Sequence, residues 1–195
     1  MIFLDETTYL VTLLNPAAVT GGSIAPSTFT SGSDTFNNNW VGSAEAVLGS
    51  SYATLVSTPT IIDIRNMTKN RAVRYDLSSG DLIIISESGQ NTEYPTISWD
   101  VRDEVYTMTI DIRTIQDERA GTDTNFGRDR LERLYRVVRH RLEQNRKGST
   151  VTISSDSKKM NQLFLGSRTE SNDRNKRLFG YKLTVEMKRF AVAIP

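Results

Sequence analysis

Residues 128–147 combine the spacing of an amphipathic helix with an excess of arginine. Apolar side chains recur at intervals of three and four residues: Leu131, Leu134, Tyr135, Val138 and Leu142. This spacing places them in one stripe of an α-helix and predicts that the stripe packs against a core. Gly148, which follows a basic last turn, is typical of a helix end. Any fold of the chain must therefore bury one face of this helix and leave the arginine-rich face outside.

Alternating segments on both sides of the helix predict strands. In Glu104–Arg113 the apolar side chains share one face, and Leu178–Ala191 alternates in the same way. Shorter strands are predicted at Thr60–Arg65, Leu82–Ile85, Ile97–Val101 and Val151–Ser154. Polar connections are predicted at Ser88–Asn91, Asp156–Lys159 and Gly166–Lys176.

The order strands, helix, strands favours an α+β fold. We predict a mostly antiparallel β-sheet with one long amphipathic helix packed on one face. Within this sheet, Leu82–Ile85 is expected to pair antiparallel to Glu104–Arg113.

The first part of the chain differs in composition. A short apolar segment, Tyr9–Leu14, stops at Asn15-Pro16, and a Ser-, Thr-, Gly- and Asn-rich stretch follows to about residue 58. We predict an extended N-terminal arm or loop over residues 1–58 and an α+β core domain over residues 59–195. Three aromatic residues of the arm are candidate anchors: Phe29, Phe36 and Trp40. Whether they bind a neighbouring subunit or the chain's own core is open at this stage.

Composition excludes several classes of site. The chain has no cysteine, so disulfides, thiolate metal sites and cysteine nucleophiles are excluded. No apolar run approaches the roughly 18 to 20 residues needed to span a bilayer, and the N-terminus lacks the basic region of a secretory signal. We therefore expect no membrane partner and assembly in a cytoplasm.

The formal net charge of +1 conceals a gradient along the chain. Residues 1–64 contain five acids and no base, which gives −5, and residues 65–127 give −4. Residues 128–195 contain seventeen bases and seven acids, which gives +10. Such asymmetry suits either a basic face for phosphate or complementary faces that join subunits head to tail.

No motif supports catalysis. His140 is the only histidine, so a zinc or facial-triad site of the usual composition is excluded. Asp100, Asp103, Glu104 and Asp111 do not converge by spacing, which gives a metal site little support. Glycine-rich phosphate loops and the G-x-S-x-G motif are missing. We predict that the protein is not an enzyme and needs no cofactor or metal.

The arginine-rich face of the helix is the concentrated signal that remains. Arginine suits fixed contacts with carboxylate or phosphate groups better than lysine does. We predict that this face contacts another subunit or DNA, through Arg130, Arg133, Arg136, Arg139 and Arg141. Two alternatives stay open: a solvated face paired with the acids of residues 65–127, and non-sequence-specific nucleic-acid binding.

From about residue 80 the chain resembles the tail terminator, or tail-completion, proteins of tailed bacteriophages. The resemblance lies in the strand EVYTMTIDIRTI, the helix GRDRLERLYRVVRHRLEQNRK and the last strand RLFGYKLTVEMKRF, in that order. It covers roughly residues 80–190.

The resemblance implies a non-enzymatic structural protein of the virion. Members of this family form a hexameric ring in the neck of the virus, cap the tail tube and dock to the head-side connector or stopper protein. Genomic DNA passes through the ring lumen without sequence-specific contact. On this expectation the chain is a homohexameric neck subunit, assembled in the host cytoplasm.

Overall fold

The structure is a computed structural model that describes ten stretches of the chain. They are residues 5–14, 30–31, 34–35, 47–48, 60–63, 81–93, 101–115, 126–153, 156–172 and 178–193. The candidate anchors Phe29, Phe36 and Trp40 lie outside these stretches, as does most of the segment predicted to be an arm.

Two helices and nine strands are described. In chain order they are α1 (Glu6–Leu14), β1 (Thr30–Ser31), β2 (Asp34–Thr35), β3 (Thr60–Asp63), β4 (Leu82–Glu93), β5 (Val101–Ile115), α2 (Phe126–Gln144), β6 (Ser149–Ile153), β7 (Asp156–Met160), β8 (Gln162–Glu170) and β9 (Leu178–Ala193). The main sheet has five strands in the order β3-β4-β5-β9-β8, and a smaller sheet has the order β2-β1-β6-β7. Every pairing except the parallel β3–β4 pair is antiparallel. The predicted α+β class with a mostly antiparallel sheet is therefore confirmed.

Both helices lie against one face of the main sheet. α1 packs over β3 and β4, whereas α2 packs over β5, β9 and β8. The covered face consists of alternate residues of the central strands: Ile83, Ile85, Tyr106, Met108, Ile110, Ile112, Tyr181, Leu183, Val185 and Met187. Leu82 pairs with Arg113 and Ile85 with Ile110, so the predicted antiparallel pairing of these two segments is confirmed.

Three predicted polar connections are wrong wholly or in part. Ser88–Asn91 lies inside β4, where a register shift beside Gly89 keeps it paired with β5. Asp156–Lys159 belongs to β7, and the first part of Gly166–Lys176 belongs to β8. These residues are mostly polar, so their sequence carries no alternation of apolar and polar side chains. Pairing with β6 and β9 makes them strands.

Helix α1 lies within the segment predicted as an arm, but it is part of the core. The Asp5 side chain accepts a hydrogen bond from the Thr8 N–H at 2.8 Å and so caps the helix N-terminus. Tyr9, Leu10 and Leu14 are completely buried. A helix that is apolar on nearly every side is stable only where the rest of the fold encloses it.

Helix α2 begins two residues before the predicted start and ends three residues before the predicted end. Its buried side chains are Leu131, Leu134, Val137, Val138, Arg141 and Leu142. Tyr135, placed in the stripe by its spacing, is only partly buried.

The turn after α2 requires a glycine. Gly148 has a φ of +89°, and a Cβ built there would lie 2.4 Å from the Met160 carbonyl oxygen. Gly148→Ala is therefore expected to lower the free energy of unfolding by about 2 kcal/mol or more. Gly89→Ala is the matched control, because the nearest atom to its Cβ would be 4.0 Å away. Urea denaturation of the two variants tests this expectation, and equal losses would contradict it.

Candidate functional site

Two of the five predicted interface arginines lie on the open surface of α2. Arg136 and Arg139 have exposed side chains and pair along the helix with Glu132 at 3.5 Å and with Glu143 at 2.6 Å. The bond to Glu143 raises the pKa of Arg139 above its ordinary value. Exposed pairs of this kind contribute about 0.3–0.5 kcal/mol each, so both arginines can exchange an internal partner for an external one.

Arg130 and Arg133 are less accessible. Arg130 forms an ion pair at 2.9 Å with Asp81, which is 1% exposed and directly precedes β4. This contact ties α2 to the sheet. Arg133 is partly buried. Neither residue presents a free guanidinium to a partner.

The prediction that Arg141 belongs to the interface is wrong. Arg141 is 5% exposed, and its Nε and Nη2 donate to the Leu13 carbonyl oxygen at 3.3 and 3.0 Å. The side chain thus caps the C-terminal end of α1 with a positive charge. Burial lowers the pKa of Arg141 to about 10. The sequence pattern counted Arg141 among the arginines of the outer face, and only the position of α1 shows that its side chain points inward.

Arg146 and Lys147 are exposed cations that the prediction omitted. Both follow the last residue of α2, and no ion pair of either is found among the described residues. The exposed cations of this surface are Arg128, Arg136, Arg139, Arg146 and Lys147, and they lie beside Asp129, Glu132 and Glu143. We call these eight residues the α2 surface. Its charge is a moderate positive excess and not a continuous basic patch.

An aromatic and ionic cluster joins the α2 surface to the edge of the main sheet. The Arg168 guanidinium of β8 lies 4.6 Å from the ring centres of both Tyr135 and Tyr181. It also pairs with Glu132 at 3.2 Å, and the Tyr181 hydroxyl donates to the same carboxylate at 3.2 Å. Burial and the charge of Glu132 raise the pKa of Tyr181. The cluster holds α2 and β8 at a fixed spacing.

A groove of about 340 Å³ lies between the C-terminal half of α2 and β8. Its floor is apolar, with Leu142, Leu163 and Leu183 among its residues, and Arg139 and Arg146 stand on its rim. At one end the Leu163 N–H donates to the Arg146 carbonyl oxygen at 3.2 Å, so the first residues of β8 are bonded to the turn that follows α2. The groove is therefore bounded by charged side chains and one strand edge, and it contains no catalytic arrangement of side chains.

A buried ionic cluster links α1, β5 and β7. Lys158 forms an ion pair with Glu6, and its ammonium lies 5.9 Å from the centre of the Tyr106 ring. The Tyr106 hydroxyl donates to Glu104 at 2.6 Å. Arg102 pairs with Glu104 at 3.1 Å. Every charged member has an opposite charge nearby, as a structural cluster requires.

The pKa of Tyr106 is raised far above its ordinary value of 10.0, first by burial and then by its bond to Glu104. Above about pH 10 the Tyr106 hydroxyl loses its proton in the unfolded chain but keeps it in the folded chain. The free energy of unfolding therefore falls as pH rises. We expect Tyr106→Phe to remove this component, up to about 1.4 kcal/mol per pH unit above pH 10. Urea unfolding of both proteins at about pH 8 and about pH 11 measures the difference. A constant difference between the two pH values would contradict the expectation.

Of the carboxylates considered for chemistry, Asp100 lies outside the described residues, and Glu104 and Asp111 do not converge. Glu104 is engaged with Tyr106, whereas Asp111 lies on the opposite face of β5 and pairs with Arg113. Within the described ranges no group of three or more His, Cys, Asp or Glu could hold a metal ion. The Nε2 atom of His140 is buried and has no hydrogen-bond partner among the described residues. No described helix is long and apolar enough to cross a membrane.

Comparison with known proteins finds no matching family model and no matching curated protein.

Proposed function

We propose that the chain is a structural subunit of a tailed virus, a tail terminator or neck subunit that forms a homohexameric ring. In this role the ring caps the tail tube, docks to the head-side connector and lets genomic DNA pass through its lumen. The observation that carries the proposal is the sequence resemblance over residues 80–190. The mostly antiparallel α+β fold of that region agrees with the layout the resemblance implies.

The side chains of the described residues support an assembly role over an enzymatic one. The buried charged groups are engaged in contacts within the chain, as Arg141 is with α1 and Lys158 is with Glu6. The exposed charged groups lie on the α2 surface and on strands β4, β7, β8 and β9, where a partner can reach them. The arm predicted over residues 1–58, apart from α1, contacts a neighbouring subunit in the same proposal.

Assembly state and tube capping test the proposal together. Light scattering at micromolar concentration and negative-stain microscopy are expected to show sixfold rings, alone or with tail tubes. The tubes for this test are assembled from a purified tail tube protein of a tailed phage. Added rings are expected to stop tube elongation and to bind one tube end. A monodisperse monomer that leaves tubes unchanged would contradict the proposal.

Non-sequence-specific nucleic-acid binding is the second candidate. The exposed Arg146 and Lys147 favour it, whereas the pairing of Arg136 and Arg139 with helix carboxylates weakens it. It predicts affinity for duplex or single-stranded DNA that falls steeply with salt. A fluorescence anisotropy titration that detects no binding at about 50 mM salt would remove this candidate.

A further inference from the structure

The main sheet ends on both sides in an edge without a strand partner among the described residues. On one side β3 pairs only with Leu82–Ile85, so no described strand covers the outer edge of β4 from Ser86 to Glu93. On the other side β8 is the last strand and pairs only with β9. Open edges of this kind present unpaired N–H and C=O groups to another chain.

Burial indicates that these two edges are accessible. In β4 the side chains of Glu87, Ser88, Gln90, Asn91 and Glu93 are exposed, although the first half of the strand is buried. In β8 every residue from Gly166 to Glu170 is exposed. We call Ser86–Glu93 the β4 edge and Gly166–Glu170 the β8 edge.

The charges beside the two edges are complementary. β4 contains two glutamates, Glu87 and Glu93, and no Lys or Arg. The α2 surface, with its excess of cations, lies directly beside β8, since Arg128 pairs with Glu170 at 3.2 Å. Pairing two β4 edges would bring glutamates together, whereas pairing a β4 edge with a β8 edge brings carboxylates toward arginines.

We propose that the β4 edge of one copy of the chain pairs with the β8 edge of the next copy, so that the sheet continues from subunit to subunit. This inference rests on the proposed ring and specifies its subunit contact. Five paired residues give a contact of about 17 Å along the strands. Because the two edges differ, the contact is head to tail, and repeated head-to-tail contacts close into a ring when the rotation permits.

Backbone geometry identifies N–H groups that point outward at each edge. Ser171 N–H donates inward to Gly180 of β9 at 2.8 Å, so by alternation the N–H of Glu170 points outward. The Thr107 carbonyl oxygen of β5 accepts a hydrogen bond from the Ser88 hydroxyl of β4 at 3.0 Å, so Thr107 and its partner Gly89 face each other, and by alternation the N–H of Gln90 points outward. Proline at either position removes one outward donor and spares the sheet's internal ladder.

Gln90→Pro and Glu170→Pro are therefore the test variants, with Gln90→Ala and Glu170→Ala as matched controls. Analytical ultracentrifugation is expected to show association weakened at least about tenfold in each proline variant and unchanged in the controls. An equimolar mixture of the two proline variants is expected to form dimers and nothing larger, since each variant keeps one intact edge. Assembly that persists in both proline variants would overturn the pairing. Loss in Gln90→Pro alone would overturn it too, because that result indicates contact between two β4 edges.

A charge variant covers the case in which a proline variant does not fold, as judged by circular dichroism. Glu87→Lys with Glu93→Lys leaves the backbone unchanged and places like charges opposite the α2 surface. Association is expected to weaken at least about tenfold at low salt, and unchanged association would overturn the inference.

The outcomes separate this inference from the proposed function. Edge-dependent oligomers that never cap tail tubes would contradict the function and retain the pairing. Rings that cap tubes but tolerate both prolines would retain the function and contradict the pairing. A wild-type protein that stays monomeric at micromolar concentration, both alone and with tail tubes, would contradict both.

Discussion

Arg141→Ala is expected to lower the free energy of unfolding by about 3 kcal/mol, although the residue lies in the more basic of the two described helices. The substitution leaves the buried Leu13 carbonyl without its donor, which costs about 1–3 kcal/mol. It also removes a cation from the C-terminal end of α1 and the packing of the arginine stem in the core. Chemical denaturation followed by circular dichroism measures the loss.

Arg139→Ala is the matched control, two residues away on the same helix. Its side chain is 54% exposed and pairs with Glu143 on the helix surface. We expect its free energy of unfolding to stay within about 0.5 kcal/mol of the wild type. Arg141→Lys keeps the positive charge but removes the planar guanidinium. Its loss of unfolding free energy is expected to lie between those of Arg139→Ala and Arg141→Ala. If Arg139→Ala costs as much as Arg141→Ala, the assigned role of Arg141 as a helix cap is wrong.

Lys158→Met is expected to cost about 3–5 kcal/mol, because it leaves Glu6 buried without its cation. The side chains of Lys158 and Glu6 are only 13% and 12% exposed. After the substitution the Glu6 carboxylate faces the Tyr106 hydroxyl and the charge of Glu104 with no ammonium beside it. Thermal and urea denaturation at neutral pH measure the effect.

A double variant separates charge from packing in this cluster. Lys158→Met with Glu6→Gln removes both charges and is expected to recover more than half of the loss, since the remaining groups are neutral. Arg128→Met, which breaks an exposed pair with Glu170, serves as the surface control and should cost at most about 0.5 kcal/mol. Losses that simply add in the double variant would show that Lys158 acts through packing alone.

Periodicity in the sequence located the elements with a clear apolar face. The alternation around Met108 and Ile110 predicted the central strand and its antiparallel partner, and the structure extends that strand to Val101–Ile115. In α2 the residues Leu131, Leu134, Val138 and Leu142 share one stripe in the sequence and are all buried. The spacing of apolar residues along the sequence decides which face of a helix or strand is buried. This face can therefore be predicted before the fold is known.

The candidate site was less accessible to sequence reasoning. A count of arginines treats Arg139 and Arg141 alike, yet one pairs on the surface and the other caps a helix in the core. Their difference depends on α1, which lies well over one hundred residues earlier in the chain. The exposed cations Arg146 and Lys147 were missed because the predicted face was restricted to the helix centre.

By itself the sequence determined the α+β class, the antiparallel pairing of the central strands and the position of the apolar stripe in residues 128–147. Only the tertiary structure decided that Arg141 points inward, that α1 belongs to the core and that β7 and β8 are strands. β7 and the second half of β8 are mostly polar and show no alternation, and backbone pairing with β6 and β9 holds these segments as strands. The same pairing makes β8 an open edge beside the arginines of α2, a position that no local pattern encodes.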